Sequence, residues 1–266
     1  MKTALVTGAS SGIGWEIAKE LARKRFDLVL VARREDKLRE LAKLLQPHVG
    51  ITVLVADLSE SGAPQHIFEA LQDRQIDILV NNAGFATYGP FADADLEKNL
   101  ELLNVNIVAL THLTRLFLPA MLQRKSGQIL NVASVASFFP GPLMATYYAS
   151  KAYVLSFSEA LNEETRESGV SVTCLCPGAT TSEFQTRAAM QSSKLADAHF
   201  MSAKAVAQRG VRAMLHGDAL CVPGLSNRLL VALAPRLLPR GALAGLVRRW
   251  QEPAAEGEKG RKGEGE

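Results

Sequence analysis

Short apolar runs alternate with longer segments of helical periodicity along most of the chain. Runs such as Thr3–Thr7 and Leu28–Ala32 are largely apolar rather than alternating, which is typical of strands buried on both faces of a sheet. The longer segments, for example Glu35–Leu45, repeat apolar residues every three or four positions and predict amphipathic helices. Together these patterns predict one doubly wound α/β domain, with a parallel sheet of six to seven strands and helices on both faces. The candidate seventh strand is Ala219–Val222.

Positive charge is concentrated near the end of the chain. The 266 residues carry a net charge of +3, and residues 219–251 hold five arginines and no acid. A nucleic-acid site would spread its basic residues over a face of the domain, so we predict no nucleic-acid partner. Residues 252–266 are rich in Glu, Gly and Lys, which predicts a disordered tail. We therefore expect a main domain at 1–218 and a basic, apolar segment at 219–251 that packs on it or at an interface.

Composition excludes several classes of protein. With 47% hydrophobic and 21% charged residues, the chain is neither disordered throughout, collagen-like nor a disulfide scaffold. No secretory signal follows Met1, and no uncharged apolar run of about 18 residues predicts a membrane span. The three cysteines lack the spacing of a disulfide framework or a metal site. We expect a cytoplasmic protein without a metal ion.

A glycine-rich turn joins the first strand to the first helix. It reads Thr-Gly-Ala-Ser-Ser-Gly-Ile-Gly over residues 7–14. Glycine lets the backbone approach a pyrophosphate closely, and the helix N-terminus supplies free N–H groups and the positive end of a dipole. A plain turn would also contain glycine, but the position in the first βα unit favours a dinucleotide site. The predicted contacts are Gly8, Ser10, Ser11, Gly12, Ile13 and Gly14.

Two arginines follow the second strand. An acid at this position would bind the adenosine ribose of NAD, whereas Arg33 and Arg34 stand here instead. A guanidinium binds phosphate through a bidentate fork. Many loop arginines are simply solvated, but this placement favours NADP over NAD, with both side chains near the 2′-phosphate.

Tyr147 and Lys151 are four residues apart on a predicted helix, so their side chains share one face. A phenol ionises near pH 10, and a nearby ammonium together with the positive nicotinamide would lower that pKa. General acid–base chemistry near neutral pH needs such tuning. A helix-surface pair without function has the same spacing. Tyr148 is a competing acid, and the four-residue step to Lys151 favours Tyr147.

Several sequence motifs follow one another along the chain in an order that resembles a known family. The Gly-x-x-x-Gly-x-Gly loop, the Asn-Asn-Ala-Gly run at residues 81–84, Ser134 and the Tyr147–Lys151 pair resemble the short-chain dehydrogenase/reductase family of Rossmann-fold enzymes. The resemblance covers roughly residues 1–215. It implies that Ser134 binds a substrate carbonyl oxygen and Tyr147 donates a proton to it. It further implies that Lys151 holds the nicotinamide ribose and that Asn106 holds a water in a proton relay.

The same resemblance implies further contacts with the cofactor. Asp57 would meet the adenine ring, although it is nearly as well suited to capping a turn. The Pro-Gly turn at 177–178 would contact the nicotinamide amide, and Ser182 replaces the usual threonine. The predicted contacts outside the glycine loop and the arginines are Asp57, Leu58, Asn82, Ala83, Gly84, Tyr147, Lys151, Pro177, Gly178, Thr180 and Ser182.

These features predict an NADP(H)-dependent oxidoreductase that interconverts a carbonyl and a secondary alcohol. An apolar lining is expected from a substrate loop at Glu183–Ser202, which favours a lipophilic ketone of ketosteroid or 3-ketoacyl type. The alternative is a silent nucleotide-sensing or scaffold protein on the same fold. The family generally pairs the helices expected around residues 96–123 and 146–168, which implies a homodimer or homotetramer.

The segment after the main domain allows two hypotheses. Residues 223–250 interleave leucines and a tryptophan with the five arginines, which fits a helix lying on an anionic bilayer. Amphipathic helices more often pack on a core, so a flap over the substrate cleft or a subunit contact is the favoured interpretation.

Overall fold

A parallel sheet organises the molecule. The computed structural model describes residues 1–181 and 201–252. The sheet strands are β1 Thr3–Thr7, β2 Asp27–Ala32, β3 Ile51–Val55, β4 Ile78–Asn81, β5 Gly127–Val132, β6 Val170–Leu175 and β9 Leu220–Cys221. They pair in the order β3-β2-β1-β4-β5-β6-β9, all parallel. The predicted α/β fold and its seventh strand are confirmed. A further parallel pair, β7 Thr180–Thr181 and β8 Met201–Ser202, was not expected from the sequence.

Helices cover both faces of this sheet. They are α1 Gly12–Arg23, α2 Glu35–Leu45, α3 Ala63–Glu69, α4 Leu96–Leu103, α5 Leu110–Gln123, α6 Ala145–Glu164, α7 Ala203–His216, α8 Leu225–Leu237 and α9 Arg240–Gln251. One apolar cluster, with Leu21, Leu38 and Val211, joins α1, α2 and α7 to the sheet. A second, with Leu113 and Phe117, joins α3 and α5 to its other face.

The end of α6 differs from the sequence prediction. The glycine at 169 predicts a helix that continues to Ser168, yet α6 ends at Glu164. Thr165 bonds back to the Leu161 carbonyl through both its N–H and its hydroxyl, and consecutive turns follow. Gly169 instead serves the start of β6, where its φ is +79° and a Cβ would lie 2.2 Å from the Lys125 carbonyl oxygen. The glycine is required by this close approach rather than by a helix cap.

One helical stretch is long and apolar enough to span a membrane. It runs over Leu96–Gln123 and is the one found among residues 1–181 and 201–252. Within it, Leu102, Leu113 and Met121 are fully buried in the protein. We interpret it as a helical stretch that packs one apolar face on the core of the protein, because these side chains are buried there. A six-residue π-helical turn, Asn104–Ala109, separates its halves α4 and α5.

The last two helices pack on the main domain. Leu243 and Val247 of α9 are buried against Phe139, which follows β5. Leu230 and Val231 of α8 pack on the same cluster. The two helices, α8 and α9, together form a cap on the domain. Residues 253–266, which include almost all of the predicted tail, lie outside the described residues.

Candidate active site

A cleft opens at the carboxyl ends of the sheet strands. Its volume of about 1160 Å³ exceeds the roughly 300–1,000 Å³ of a typical small-molecule pocket, so it has room for a dinucleotide and a second ligand. It lies where the strand order reverses between β1 and β4, the usual ligand position in an open α/β sheet. Most of the predicted site residues line it; Gly14 and Asn106 do not. Ser182 and nearly all of the predicted substrate loop lie outside the described residues.

The glycine loop is shaped for close approach. Gly8 and Gly12 have φ of +65° and +58°, a region that side chains with a Cβ rarely adopt. Gly14 has a packing role, because a Cβ there would lie 2.4 Å from the Gly8 carbonyl oxygen. Asn82 fastens the loop to β4 by donating to the carbonyls of Thr7 and Gly8 at 2.9 and 3.2 Å. The loop and the first turn of α1 therefore form a cradle that fits a pyrophosphate.

The two arginines have different surroundings. The Arg33 guanidinium contacts Asp57 and Glu101 at 3.4 and 3.2 Å, and its side chain is 55% exposed. The Arg34 guanidinium donates to the Ser10 carbonyl at 3.2 Å, so it also supports the glycine loop. Both lie at the cleft, which fits the predicted 2′-phosphate position. Glu101 is a neighbour of Arg33 that the sequence analysis did not identify.

Asp57 closes a turn and lines the cleft. Its Oδ1 accepts from the Ser59 N–H and hydroxyl at 2.9 and 2.7 Å, which closes a turn after β3. Partial burial raises the pKa of this carboxyl, but the Ser59 hydrogen bonds and the Arg33 charge outweigh it, and the pKa lies below its ordinary value. Asp57 is therefore a carboxylate at neutral pH, and it also lines the cleft.

Tyr147 and Ser134 meet on the floor of the cleft. Ser134 begins the 3₁₀ turn Val135–Phe138 after β5 and accepts the Ala136 N–H at 3.1 Å. Its hydroxyl also hydrogen-bonds the Tyr147 side chain. Burial raises the pKa of Tyr147, and the bond with Ser134 offsets that effect only in part. The lowered phenol pKa expected from the sequence is thus wrong for the chain alone, in which Tyr147 is a neutral phenol.

Lys151 lies one turn further along α6. It is 5% exposed, and its Nζ donates to the Val132 carbonyl at 2.8 Å, 5.9 Å from the Tyr147 ring centroid. Burial lowers its pKa to about 8. The ammonium has further N–H donors and lines the cleft, so it fits a ligand rich in hydroxyl oxygens.

Asn106 lies on the π-helical turn. It is 1% exposed, with Oδ1 accepting the Phe85 N–H and Nδ2 donating to the Phe85 carbonyl, each at 3.1 Å. Nδ2 also contacts the Ser150 hydroxyl at 3.0 Å. These bonds satisfy the buried amide and fix the backbone after β4 beside Lys151. The structure therefore gives Asn106 a positioning role behind the cleft.

Similarity to known proteins agrees with this geometry. The family model described as short chain dehydrogenase matches residues 2–213. The chain belongs to the short chain dehydrogenase family. A very-long-chain 3-oxoacyl-CoA reductase of Anas platyrhynchos is 39% identical over 181 residues, which cover 65% of this chain and 58% of the relative. The chain thus matches less than two thirds of that relative's length.

Two solved structures are similar over nearly the whole chain. A short-chain dehydrogenase of Sphingobium yanoikuyae in complex with NADPH has 33% identity and a TM-score of 0.81, covering 96% of this chain and 99% of that one. A bulky-bulky ketone specific alcohol dehydrogenase of Comamonas testosteroni has 30% identity and a TM-score of 0.77, covering 96% and 98%.

In this short chain dehydrogenase the cap completes the cleft. A Cβ on Gly178 would lie 2.5 Å from the Asn227 Nδ2, so the start of α8 lies directly on the Pro-Gly turn after β6. Leu230 of α8, together with Val247 and Trp250 of α9, adds an apolar wall. Thr180 bonds the Gly178 carbonyl at 2.9 Å and lines the cleft nearby.

Gln251 joins the cap to α6, the helix that carries Tyr147 and Lys151. Its side-chain Nε2 donates to the Tyr148 hydroxyl at 2.8 Å, and its main-chain carbonyl accepts from the Tyr88 hydroxyl at 2.6 Å. Tyr148, the competing acid, is thereby engaged with the cap. Sequence reasoning missed Asn227 and Gln251, and their only signal was an uncharged polar side chain within a leucine- and arginine-rich segment.

Proposed function

We propose that this protein is an NADP(H)-dependent oxidoreductase that reduces a lipophilic ketone to a secondary alcohol. The observation that supports this most is the hydrogen-bonded Ser134–Tyr147 pair beside the buried ammonium of Lys151, in a cleft that also holds the glycine loop. The glycine loop, Arg33 and Lys151 would hold NADPH in the cleft, and the cofactor would supply the hydride. The NADPH complex of the similar Sphingobium yanoikuyae enzyme supports the choice of cofactor.

Each side chain has a distinct role in this proposal. Ser134 orients the carbonyl oxygen of the substrate by a hydrogen bond. Tyr147, as a neutral phenol at pH 7, donates its proton to that oxygen. Lys151 binds ribose hydroxyls through its ammonium and provides a positive charge that stabilises the resulting phenolate. Asn106 keeps the strand end behind Lys151 in place, and a water held near it would return the proton.

The walls of the cleft support a lipophilic substrate. Phe139, Leu230, Val247 and Trp250 surround the space beyond Tyr147 on the cap side. Such a wall binds apolar groups on either side of a carbonyl by removing their surface from water. The similar Comamonas testosteroni enzyme is described as specific for bulky-bulky ketones, and a 3-oxoacyl-CoA reductase is among the relatives. A ketosteroid or 3-ketoacyl compound is the class that we propose.

A titration and a turnover assay test this function. We expect tight NADPH binding, weak NADH binding, and NADPH oxidation with a ketosteroid or a long-chain 3-ketoacyl thioester but not with acetone. The readouts are NADPH fluorescence and the loss of its absorbance. Tight nucleotide binding without turnover of any ketone in the panel would favour a silent nucleotide sensor, and absence of binding would contradict both proposals.

Cofactor choice is tested at Arg33. Arg33→Asp should weaken NADPH binding about 10- to 100-fold, since a hydrogen bond to a charged group contributes about 1.5–3 kcal/mol. NADH binding should change little. The matched variant Glu101→Gln removes one carboxylate that competes for the guanidinium and should tighten NADPH binding. If Arg33→Asp binds NADPH undiminished, Arg33 does not contact the 2′-phosphate.

We propose in addition that the protein acts in the cytoplasm as a homodimer or homotetramer. Leu96 and Leu100 of α4, Val108 of the π-helical turn and Tyr153 of α6 are exposed apolar or aromatic side chains. They lie on the two helices that the family generally pairs. Burying such side chains in a subunit contact would remove their surface from water.

A further inference from the structure

The outer face of α8 carries a row of exposed leucines. Leu225, Leu229, Leu233 and Leu237 follow one another at four-residue steps and are 50–72% exposed, with Leu238 40% exposed after them. Residues four apart lie on the same side of a helix, so the row forms one continuous apolar stripe. The opposite side of α8, with Leu230, Val231 and Ala234, is already used by the cap cluster. The leucines of the stripe are therefore not among the side chains that pack the cap against the domain.

Five arginines lie on the same two helices as this leucine stripe or at their ends. Arg228 and Arg236 lie on α8 itself, Arg240 begins α9, and Arg248 and Arg249 lie near its end; all five are exposed. Arg248 pairs with Glu252 at 3.1 Å, and residues 219–251 contain no acid. An exposed apolar stripe with guanidinium groups on the same pair of helices combines the two attractions that hold a helix at a lipid interface. The two helices carry five arginines against the one carboxylate of Glu252 that follows them, and anionic headgroups complement this positive excess.

We propose that the leucine stripe of α8 docks the protein on an anionic lipid bilayer. A second copy of the chain is the competing occupant of an exposed apolar face. A two-fold contact would place the same patch on both partners and bring their arginines together, which repels. An anionic bilayer instead attracts every one of them. This argument uses the outer surface of the cap alone and does not depend on the reaction in the cleft.

Docking would also place the bilayer next to the cleft. Ser226 and Leu230 of the same helix α8 line that cleft. An apolar substrate dissolved in the membrane would then reach the cleft by passing α8 alone. This consequence rests on the proposed function, whereas the docking itself does not.

Vesicle sedimentation tests the docking on the full-length protein. We expect sedimentation with phosphatidylcholine vesicles that contain phosphatidylglycerol, and little with phosphatidylcholine alone. Leu225→Gln/Leu229→Gln/Leu233→Gln should lower the bound fraction severalfold. Arg236→Glu/Arg240→Glu should weaken the partition coefficient more than about tenfold, from about fivefold for each lost positive charge. These side chains are exposed, so the variants should fold.

A matched single substitution separates docking through the leucine stripe from nonspecific vesicle binding through any exposed leucine. Leu44 on α2 is 53% exposed and Leu229 is 52% exposed. Leu229→Gln should reduce vesicle binding and Leu44→Gln should not. Equal reduction by both, equal sedimentation of the triple variant and the unaltered protein, or no sedimentation with anionic vesicles would overturn the proposal. So would a decrease in oligomer mass of the triple variant in analytical ultracentrifugation without vesicles, because the stripe would then be a subunit contact. Each readout is independent of NADPH turnover.

Discussion

Tyr147→Phe is expected to lower kcat by about 10²–10⁴-fold, the range that a positioned general acid contributes. The variant removes the proton donor and leaves the ring, its packing and the fold in place. NADPH affinity should stay within a few-fold of the unaltered enzyme, because the glycine loop and the arginines are untouched. Single-turnover kinetics with a bulky ketone, beside an NADPH titration, separates the two effects.

Tyr148→Phe is the matched control for this prediction. Its hydroxyl accepts from Gln251 on the cap and is not bonded to Ser134 in the structure. We expect kcat within about threefold of the unaltered enzyme, with KM for bulky ketones increased as one tie to the cap is lost. That tie is one ordinary hydrogen bond of about 0.5–1.5 kcal/mol. If Tyr148→Phe abolished turnover and Tyr147→Phe did not, the acid would be Tyr148.

Lys151→Met is expected to remove activity and to stabilise the fold. Lowering the pKa of Lys151 to about 8 from 10.5 means that its burial costs about 3 kcal/mol of folding free energy at neutral pH. Methionine removes that cost, although the Val132 carbonyl then loses its donor. The net gain should be about 1–2 kcal/mol in urea unfolding. Turnover should fall at least about 100-fold, because the charge beside Tyr147 is gone.

The pH dependence gives this prediction a second readout. Between pH of about 8 and 10.5 the unfolded chain binds the Lys151 proton and the folded chain does not. The stability contributed by this site therefore rises with pH across that window. The stability advantage of Lys151→Met should shrink by about 1.36 kcal/mol for each pH unit there. An advantage that is constant from pH 7 to 10.5 would show that the ammonium carries no burial cost.

The sequence predicts those parts of the site that depend on neighbouring residues. The glycine loop is recognisable because all the residues that shape a pyrophosphate-binding turn lie in one short segment between a strand and a helix. Tyr147 and Lys151 are recognisable because four residues return a helix to the same face. The strand and helix pattern is predicted for the same reason, since burial on one or both faces sets the period of apolar residues.

The rest depends on contacts between distant segments. Glu101 reaches Arg33 across 68 positions, and Gln251 reaches Tyr148 across 103. No local period encodes such contacts, because the packing of the whole chain decides them. The raised pKa of Tyr147 in the chain without a cofactor has a related origin: the spacing to Lys151 is visible in the sequence, whereas the degree of burial is not.

The cap has a consequence for how this enzyme diversifies. The family model matches residues 2–213, while α8 and α9 lie beyond that part and build one wall of the cleft. One apolar wall of the cleft is therefore encoded by a stretch of the chain separate from the one that holds Ser134, Tyr147 and Lys151. Mutations in α8 and α9 can reshape this wall without altering Ser134, Tyr147 or Lys151. A recombined gene that keeps residues 2–213 and exchanges these two helices would keep those three side chains and line the cleft with a different apolar wall.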